Sequence, residues 1–257
     1  MINKNKFQKE LNSKGFVVLK GIVKKKTQKN IIEFANWYAR KFITSWSNKK
    51  YSKVLFSEKT IYKKIIYYYL KFGKKKYRRN PKKNLANKLF YKIIDDPIFD
   101  EINKQMNSKK WYFSFIKNLR FKSKLLPWTL SDWHCDRFTF ANFRDSDFKF
   151  LVIWIPLQKT DNQTGGGIEV VPKNIFSYNS LPKNYVNSSN GKKLFIVNKF
   201  KSKFTKTVVP KTQFGDMVIF DSSVIHRTTP AKTKSPFWSL DIRFEYGKKI
   251  SYQTSKG

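Results

Sequence analysis

The chain of 257 residues contains one cysteine, Cys135, and two histidines, His134 and His226. A lone cysteine excludes an internal disulfide framework and a cysteine-rich zinc site. Arginine is scarce too, with 8 residues against 46 lysines, and acidic side chains number 17. No apolar run approaches the roughly 20 residues that a membrane helix needs; the longest is Phe150–Leu157. The first residues, MINKNKFQKELNSKGFVVL, show no apolar stretch ahead of a small-residue cleavage site, so no secretory signal is expected. A soluble, cytoplasmic protein without membrane insertion is the expectation.

What is abundant is lysine, and the formal net charge is +37. Phe, Tyr, Ile, Asn and Lys together fill 125 positions, whereas Gly, Ala, Arg and Pro fill 32. The first group is encoded mainly by A/T-rich codons and the second by G/C-rich ones. Much of the lysine excess therefore reads as base-composition drift rather than as a binding surface. With 17% aromatic and 40% hydrophobic residues, the chain can bury a substantial core, which argues against global disorder. The length suits one larger domain, and no linker or internal repeat divides it.

Texture changes near residue 127. Residues 1–127 carry 34 basic and 7 acidic side chains and read as mostly helical, with one opening strand. Helical spacing occurs around Phe7–Leu11, Lys29–Phe42, Thr60–Phe72 and Asn84–Ile94, with Pro81 and Pro97 as breakers. The stretch Gly15–Lys20 reads as the strand. From Trp128 to Tyr246 the pattern is one of short β runs: Phe148–Leu157, Ile168–Val171, Thr205–Val209, Met217–Phe220 and Phe237–Tyr246. Asn179–Gly191 reads as a polar loop. Several short strands at this spacing predict a sandwich or barrel.

Both histidines sit in suggestive settings. In Trp133-His134-Cys135-Asp136, strand geometry would point His134 and Asp136 to one face and Cys135 to the other. A distant histidine returning to that face, such as His226, would complete a 2-His-1-carboxylate facial triad. That donor set is typical of non-haem Fe(II) oxygenases. Taken alone, His-x-Asp recurs by chance and equally suits a surface pair beside a solvated histidine.

Ordered motifs shift that balance. Trp133–Asp136, then Gly165-Gly-Gly-Ile-Glu-Val-Val-Pro172, then Gly215-Asp-Met-Val-Ile-Phe-Asp221 with His226-Arg-Thr-Thr-Pro230, then Trp238-Ser-Leu-Asp-Ile-Arg-Phe244, resemble the phytanoyl-CoA dioxygenase family in order and rough spacing. The stretch Leu11–Gly21 is similar to that family's opening strand, and residues 45–110 match least. The resemblance implies a mainly β fold with helical additions: a double-stranded β-helix (a jelly-roll, cupin-like barrel) with the helix-rich N-terminal half packed outside it. It implies Fe(II) held by His134, Asp136 and His226, with 2-oxoglutarate as co-substrate, which is converted to succinate and CO2 while a small-molecule substrate is hydroxylated. Relatives that halogenate lack the carboxylate, so Asp136 points to hydroxylation.

One feature of the family is missing. Its members place an arginine eleven residues after the second histidine to meet the distal carboxylate of 2-oxoglutarate, and here that position is Phe237. The small residue two places on, Ser239, is retained. Candidate replacement cations are Arg243 on the same strand face, Lys149 on a neighbouring strand, and Lys232 or Lys234. The alternative for Arg243 is an ion pair with Asp241 or Glu245. A third possibility is a barrel that binds metal without 2-oxoglutarate turnover. Trp133, Phe138, Phe140 and Trp154 are candidate pocket residues or core, Gln158 and Arg137 lie near the metal strand, and Cys135 reads as a packed small hydrophobe. The family's Pro-Gly-Ser-His after the glycine turn is altered to Pro172-Lys-Asn174, so substrate identity does not transfer. The rival to a small-molecule enzyme is a nucleic-acid-directed one using Lys24–Lys26, Lys74–Lys76, Arg78, Arg79 and Tyr67–Tyr69. Scarce arginine and the absence of a recognised motif disfavour it.

Overall fold

In the computed structural model, Asn3 caps the first helix, α1 (Lys4–Lys14), by accepting the Lys6 N–H at 3.1 Å. Gly15 ends that helix in the left-handed region, at φ 79°, and turns the chain into β1 (Phe16–Leu19). The structure describes residues 2–47, 83–106, 111–122, 130–139, 149–176, 186–189, 193–196, 202–230, 232 and 237–246. The helical expectation for Thr60–Phe72 lies outside them, as do Lys74–Lys76, Arg78, Arg79 and Tyr67–Tyr69.

Helix α2 (Lys25–Ser47) buries Ile31, Phe34 and Ala35, which follow i, i+3, i+4 spacing. Helix α3 (Lys83–Ile94) buries Leu89, Phe90 and Ile93, and α4 (Pro97–Gln105) buries Ile98, Phe99 and Ile102. Pro97 separates α3 from α4 by starting the latter, where Asp96 caps the Ile98 N–H at 2.9 Å. Each large apolar side chain taken out of water contributes roughly 1.5–3 kcal/mol. An exposed ion pair is worth about 0–1 kcal/mol, so helix docking is governed by this apolar face and not by the lysines opposite.

The helices cover one face of a five-stranded antiparallel sheet ordered β1, β7 (Met217–Asp221), β3 (Lys149–Pro156), β9 (Phe237–Tyr246) and β2 (Trp111–Lys122). Alternation sorts the strands cleanly. Leu151, Ile153, Met217, Ile219, Leu240 and Ile242 join the helix-packed cluster. Phe150, Val152, Trp154, Val218 and Phe220 turn to the opposite face and pack with Ile168, Val170 and Val224 of a second layer. That layer is β4 (Ile168–Val171) paired antiparallel with β8 (Ile225–Thr228), extended by single bridges from His134 to His226 and from Val170 to Val208. A separate hairpin joins β5 (Val186–Ser189) and β6 (Lys193–Ile196).

Three expectations need correction. Trp111–Lys122 lies in the half read as mostly helical, yet it forms a 12-residue strand. Its register with β9 shifts between Phe113 and Lys117, which breaks the period-2 pattern that would have revealed it. Thr205–Val209 contributes only the Val208 bridge, and the polar stretch Asn179–Gly191 contains β5. The fold is mainly antiparallel sheet in two facing layers, which among the described residues form separate sheets. Among those residues no helix is long and apolar enough to cross a membrane.

Candidate metal centre

His134 and His226 stand directly opposite each other across the second layer. Their backbones exchange both hydrogen bonds, His134 N–H to His226 O at 2.9 Å and His226 N–H to His134 O at 2.8 Å. This cross-strand placement brings the ring centroids to 4.3 Å. After His134 the chain leaves the ladder, and Asp136 opens a 3-10 turn, Asp136–Thr139. The Arg137 N–H donates to Ser222 O at 2.9 Å and pins that turn to the segment leading into β8. Strand alternation therefore does not bring His134 and Asp136 together, contrary to expectation; a tight turn does. On the other side, Asp221 Oδ1 accepts the Ser223 N–H at 2.8 Å and shapes the bend that delivers His226.

The three side chains are buried, and one ligand atom from each lies within 4.8 Å of the other two. His134 Nε2 is 3.6 Å from Asp136 Oδ1. Each imidazole is oriented through Nδ1, His134 against Asp132 O at 2.6 Å and His226 against Val224 O at 3.0 Å. Carbonyl acceptors at Nδ1 fix the tautomer that leaves Nε2 as the electron-pair donor, which is how metal-binding histidines are usually held. Burial lowers the proton affinity of His134 well below the ordinary histidine value, with the neighbouring His226 adding to the effect. Burial likewise lowers that of His226. For Asp136, burial pushes upward, but the Arg243 guanidinium and the two imidazoles outweigh it and hold the carboxyl well below its usual range. Two neutral imidazoles and one carboxylate are the protonation states that a divalent cation requires, so the residues present fit such a metal.

Arg243 does not pair with Asp241; its Nη2 reaches Asp136 Oδ2 at 2.6 Å, with both side chains buried, and the Glu245 side chain lies outside the described residues. The other guanidinium nitrogens, Nε and Nη1, find no hydrogen-bond partner among the described residues. Asp241 is instead paired with Arg120 of β2, and its Oδ1 accepts the Ser239 hydroxyl at 3.3 Å. Phe237 is buried with its ring against the glycine turn: a Cβ at Gly166, where φ is 71°, would sit 2.1 Å from that ring. Lys149 opens β3 opposite Tyr246, and its side chain lies outside the described residues. Lys232 is exposed, and Lys234 lies outside the described residues. Trp154 lines the triad cavity. Trp133 packs instead with Val171 and Ile225, beneath Arg227. The Gln158 Oε1 accepts the Trp238 N–H at 3.2 Å, an anchoring role at the start of β9. The side chain of Phe138 and all of Phe140 lie outside the described residues, and Cys135 is fully buried.

Two charged cavity residues escaped sequence reasoning, Arg120 and Lys122. Both lie on the unrecognised strand β2, in register with Ser239 and Phe237 of β9 respectively. The only signal was their i, i+2 spacing, which resembles an exposed strand edge when read without the register.

No protein-family model matches the sequence, and no curated protein matches it. Solved structures do. EvdO2 from Micromonospora carbonacea var. aurantiaca, complexed with 2-oxoglutarate, matches with a TM-score of 0.62 and 14% identity over 98% of this chain and 94% of that one. EctD from S. alaskensis, with 2-oxoglutarate and 5-hydroxyectoine, gives 0.60 and 11% over 95% of this chain and 76% of that one. The non-haem α-ketoglutarate-dependent epimerase SnoN from nogalamycin biosynthesis gives 0.57 and 12% over 94% of this chain and 80% of that one. At such identities, what the chain shares with them is the fold.

Proposed function

We propose that the protein is a non-haem Fe(II)/2-oxoglutarate-dependent dioxygenase that hydroxylates a small organic substrate and releases succinate and CO2. The observation that carries this reading is the buried set of His134, Asp136 and His226, whose ligand atoms converge within 4.8 Å. The three residues would hold Fe(II) on one face and leave the opposite positions open. With O2, iron and 2-oxoglutarate held there would supply the oxidant for hydroxylation, with succinate and CO2 as co-products.

The chain's own residues prepare that chemistry. The Asp132 and Val224 carbonyls aim the imidazoles. Arg243 occupies Asp136 Oδ2 and so directs Oδ1, which already faces His134, toward the metal position. Trp154, Val152 and Phe220 line the cavity and keep bulk water from the site. A small-molecule substrate agrees with the ligands of the matched structures, which include 5-hydroxyectoine and nogalamycin RO. Lys24–Lys26 are exposed at the start of α2, on the helical side of the sheet, and lie apart from the cavity lining. That placement gives the nucleic-acid reading no support at the site.

Succinate formation tests the proposal. Fe(II)-loaded protein given 2-oxoglutarate and O2 should release succinate even without substrate, and His134→Ala should abolish the release. No succinate from the wild type at saturating 2-oxoglutarate would overturn the reading. With a substrate in hand, product mass separates hydroxylation, which adds one oxygen atom, from epimerisation, which adds none.

A further inference from the structure

Charges around the triad cavity pair off almost completely. Asp136 is held by Arg243, Asp241 by Arg120, and Glu169 by Arg227, whose Nε lies 2.7 Å from Glu169 Oε2. Among the described residues lining it, one cation is left over. Lys122 is 3% exposed and lines the same cavity as His134, Asp136 and His226. Its Nζ lies 5.3 Å from the centroid of the Trp154 ring, and no carboxylate meets it among the described residues. A buried ammonium with only a ring face as its partner is costly, because desolvation penalises the charged form. Burial accordingly lowers the Lys122 pKa to about 8, with Asp241 pulling upward and Arg120 downward. At neutral pH the side chain is still a cation, and an anionic ligand would relieve the cost.

Its position identifies the kind of anion. Lys122 is the direct cross-strand partner of Phe237 and points to the same face of the sheet. Phe237 itself is committed to the glycine turn. Next along the ladder, Arg120 faces Ser239, which is buried and whose hydroxyl donates to Oδ1 of the cavity-lining Asp241 at 3.3 Å. Lys122 and Ser239 thus occupy neighbouring positions on one wall, and the metal ligands lie across the same cavity.

We infer that Lys122, supported by Ser239, is the binding residue for the distal carboxylate of 2-oxoglutarate, supplied from β2 in place of a cation on β9. The inference rests on the iron and 2-oxoglutarate reading above. A dianion held at the metal by its 2-oxo acid end would extend its second carboxylate within the cavity that Lys122 also lines. Arg243, already engaged by Asp136, serves instead as a positioning residue for the metal ligand.

The test compares two 2-oxo acids on anaerobic Fe(II)-loaded protein: 2-oxoglutarate, and 2-oxovalerate, which has the same carbon chain without the distal carboxylate. Binding is read from the visible absorption of the chelated iron and, independently, by calorimetry. Lys122→Met should weaken 2-oxoglutarate roughly 10- to 100-fold, the loss of one charge-assisted contact. It should leave 2-oxovalerate unchanged, which also shows that the variant folds and binds iron. Lys122→Arg should keep most of the preference for 2-oxoglutarate. Several results would overturn the inference while leaving the iron reading intact: equal binding of both acids by the wild type, unchanged 2-oxoglutarate affinity in Lys122→Met, or equal weakening of both acids. Binding of neither acid by the wild type would overturn both.

Discussion

Asp136→Ala is expected to remove iron binding and, separately, to destabilise the metal-free protein by about 3–5 kcal/mol, the usual result of stripping one partner from a buried ion pair. The second effect arises because Arg243 would keep its charge while losing Asp136 Oδ2, its hydrogen-bond partner at 2.6 Å, in a site where Nε and Nη1 already have no partner among the described residues. The two effects can be separated. Arg243→Met in the Asp136→Ala background should recover most of the lost stability, because an apolar side chain then replaces a stranded charge, and it should recover no iron. Urea denaturation of the four proteins in this cycle gives the coupling energy, and Fe(II) titration gives the metal affinity. An Asp136→Ala protein as stable as the wild type would show that the pair does not form in solution.

The metal-free protein should also become more stable when Lys122 is replaced by methionine, a gain rather than the loss that core substitutions usually bring. A fall in pKa from 10.5 to about 8 corresponds to about 3 kcal/mol against the charged folded form. Loss of the contact with the Trp154 ring returns roughly 0.5–2 kcal/mol of that, so a net gain of about 1–2.5 kcal/mol is expected. The pH dependence follows from the direction of the shift. Below pH 8 Lys122 is charged in both folded and unfolded states, and the wild type bears the whole penalty. As pH rises through about 8, the folded protein releases its proton before the unfolded chain does, and the wild type gains stability on the variant. Above about 10.5 both states are neutral and the titration effect is gone. The difference between wild type and variant cancels the other lysines and tyrosines titrating in this range. Fe(II) with 2-oxoglutarate should reverse the order at neutral pH, since only the wild type then has a carboxylate for the ammonium. A metal-free Lys122→Met protein that is less stable than the wild type at pH 7 would contradict the account of an uncompensated buried cation.

The residues of the triad were legible because histidine is so rare in this chain that both copies had to be considered, and because each sits beside a recognisable turn or strand. The central strands were legible for the reason that they are buried on both faces: Phe150–Leu157 and Met217–Phe220 are nearly continuous apolar runs. What was not legible depends on contacts between distant parts of the chain. The strand β2 carries Arg120 and Lys122 into an interior cavity, so charge at those positions reads as solvent exposure, and its register shift hides the alternation. Asp136 reaches the site from a 3-10 turn, whose local sequence is indistinguishable from a strand end. The partner of Arg243 comes from the opposite layer, more than a hundred residues earlier, where no pattern of spacing along β9 could point to it. Asp241 and Glu245 were the natural local candidates for that reason, and the fold assigned the arginine elsewhere.

The most direct test is iron-edge anomalous scattering from crystals of the protein grown anaerobically with Fe(II) and 2-oxoglutarate. One strong peak per chain is expected between His134 Nε2, His226 Nε2 and an Asp136 carboxylate oxygen, with the co-substrate chelating the same metal. A peak elsewhere, or none at that position in crystals that contain stoichiometric iron, would contradict the proposed metal centre.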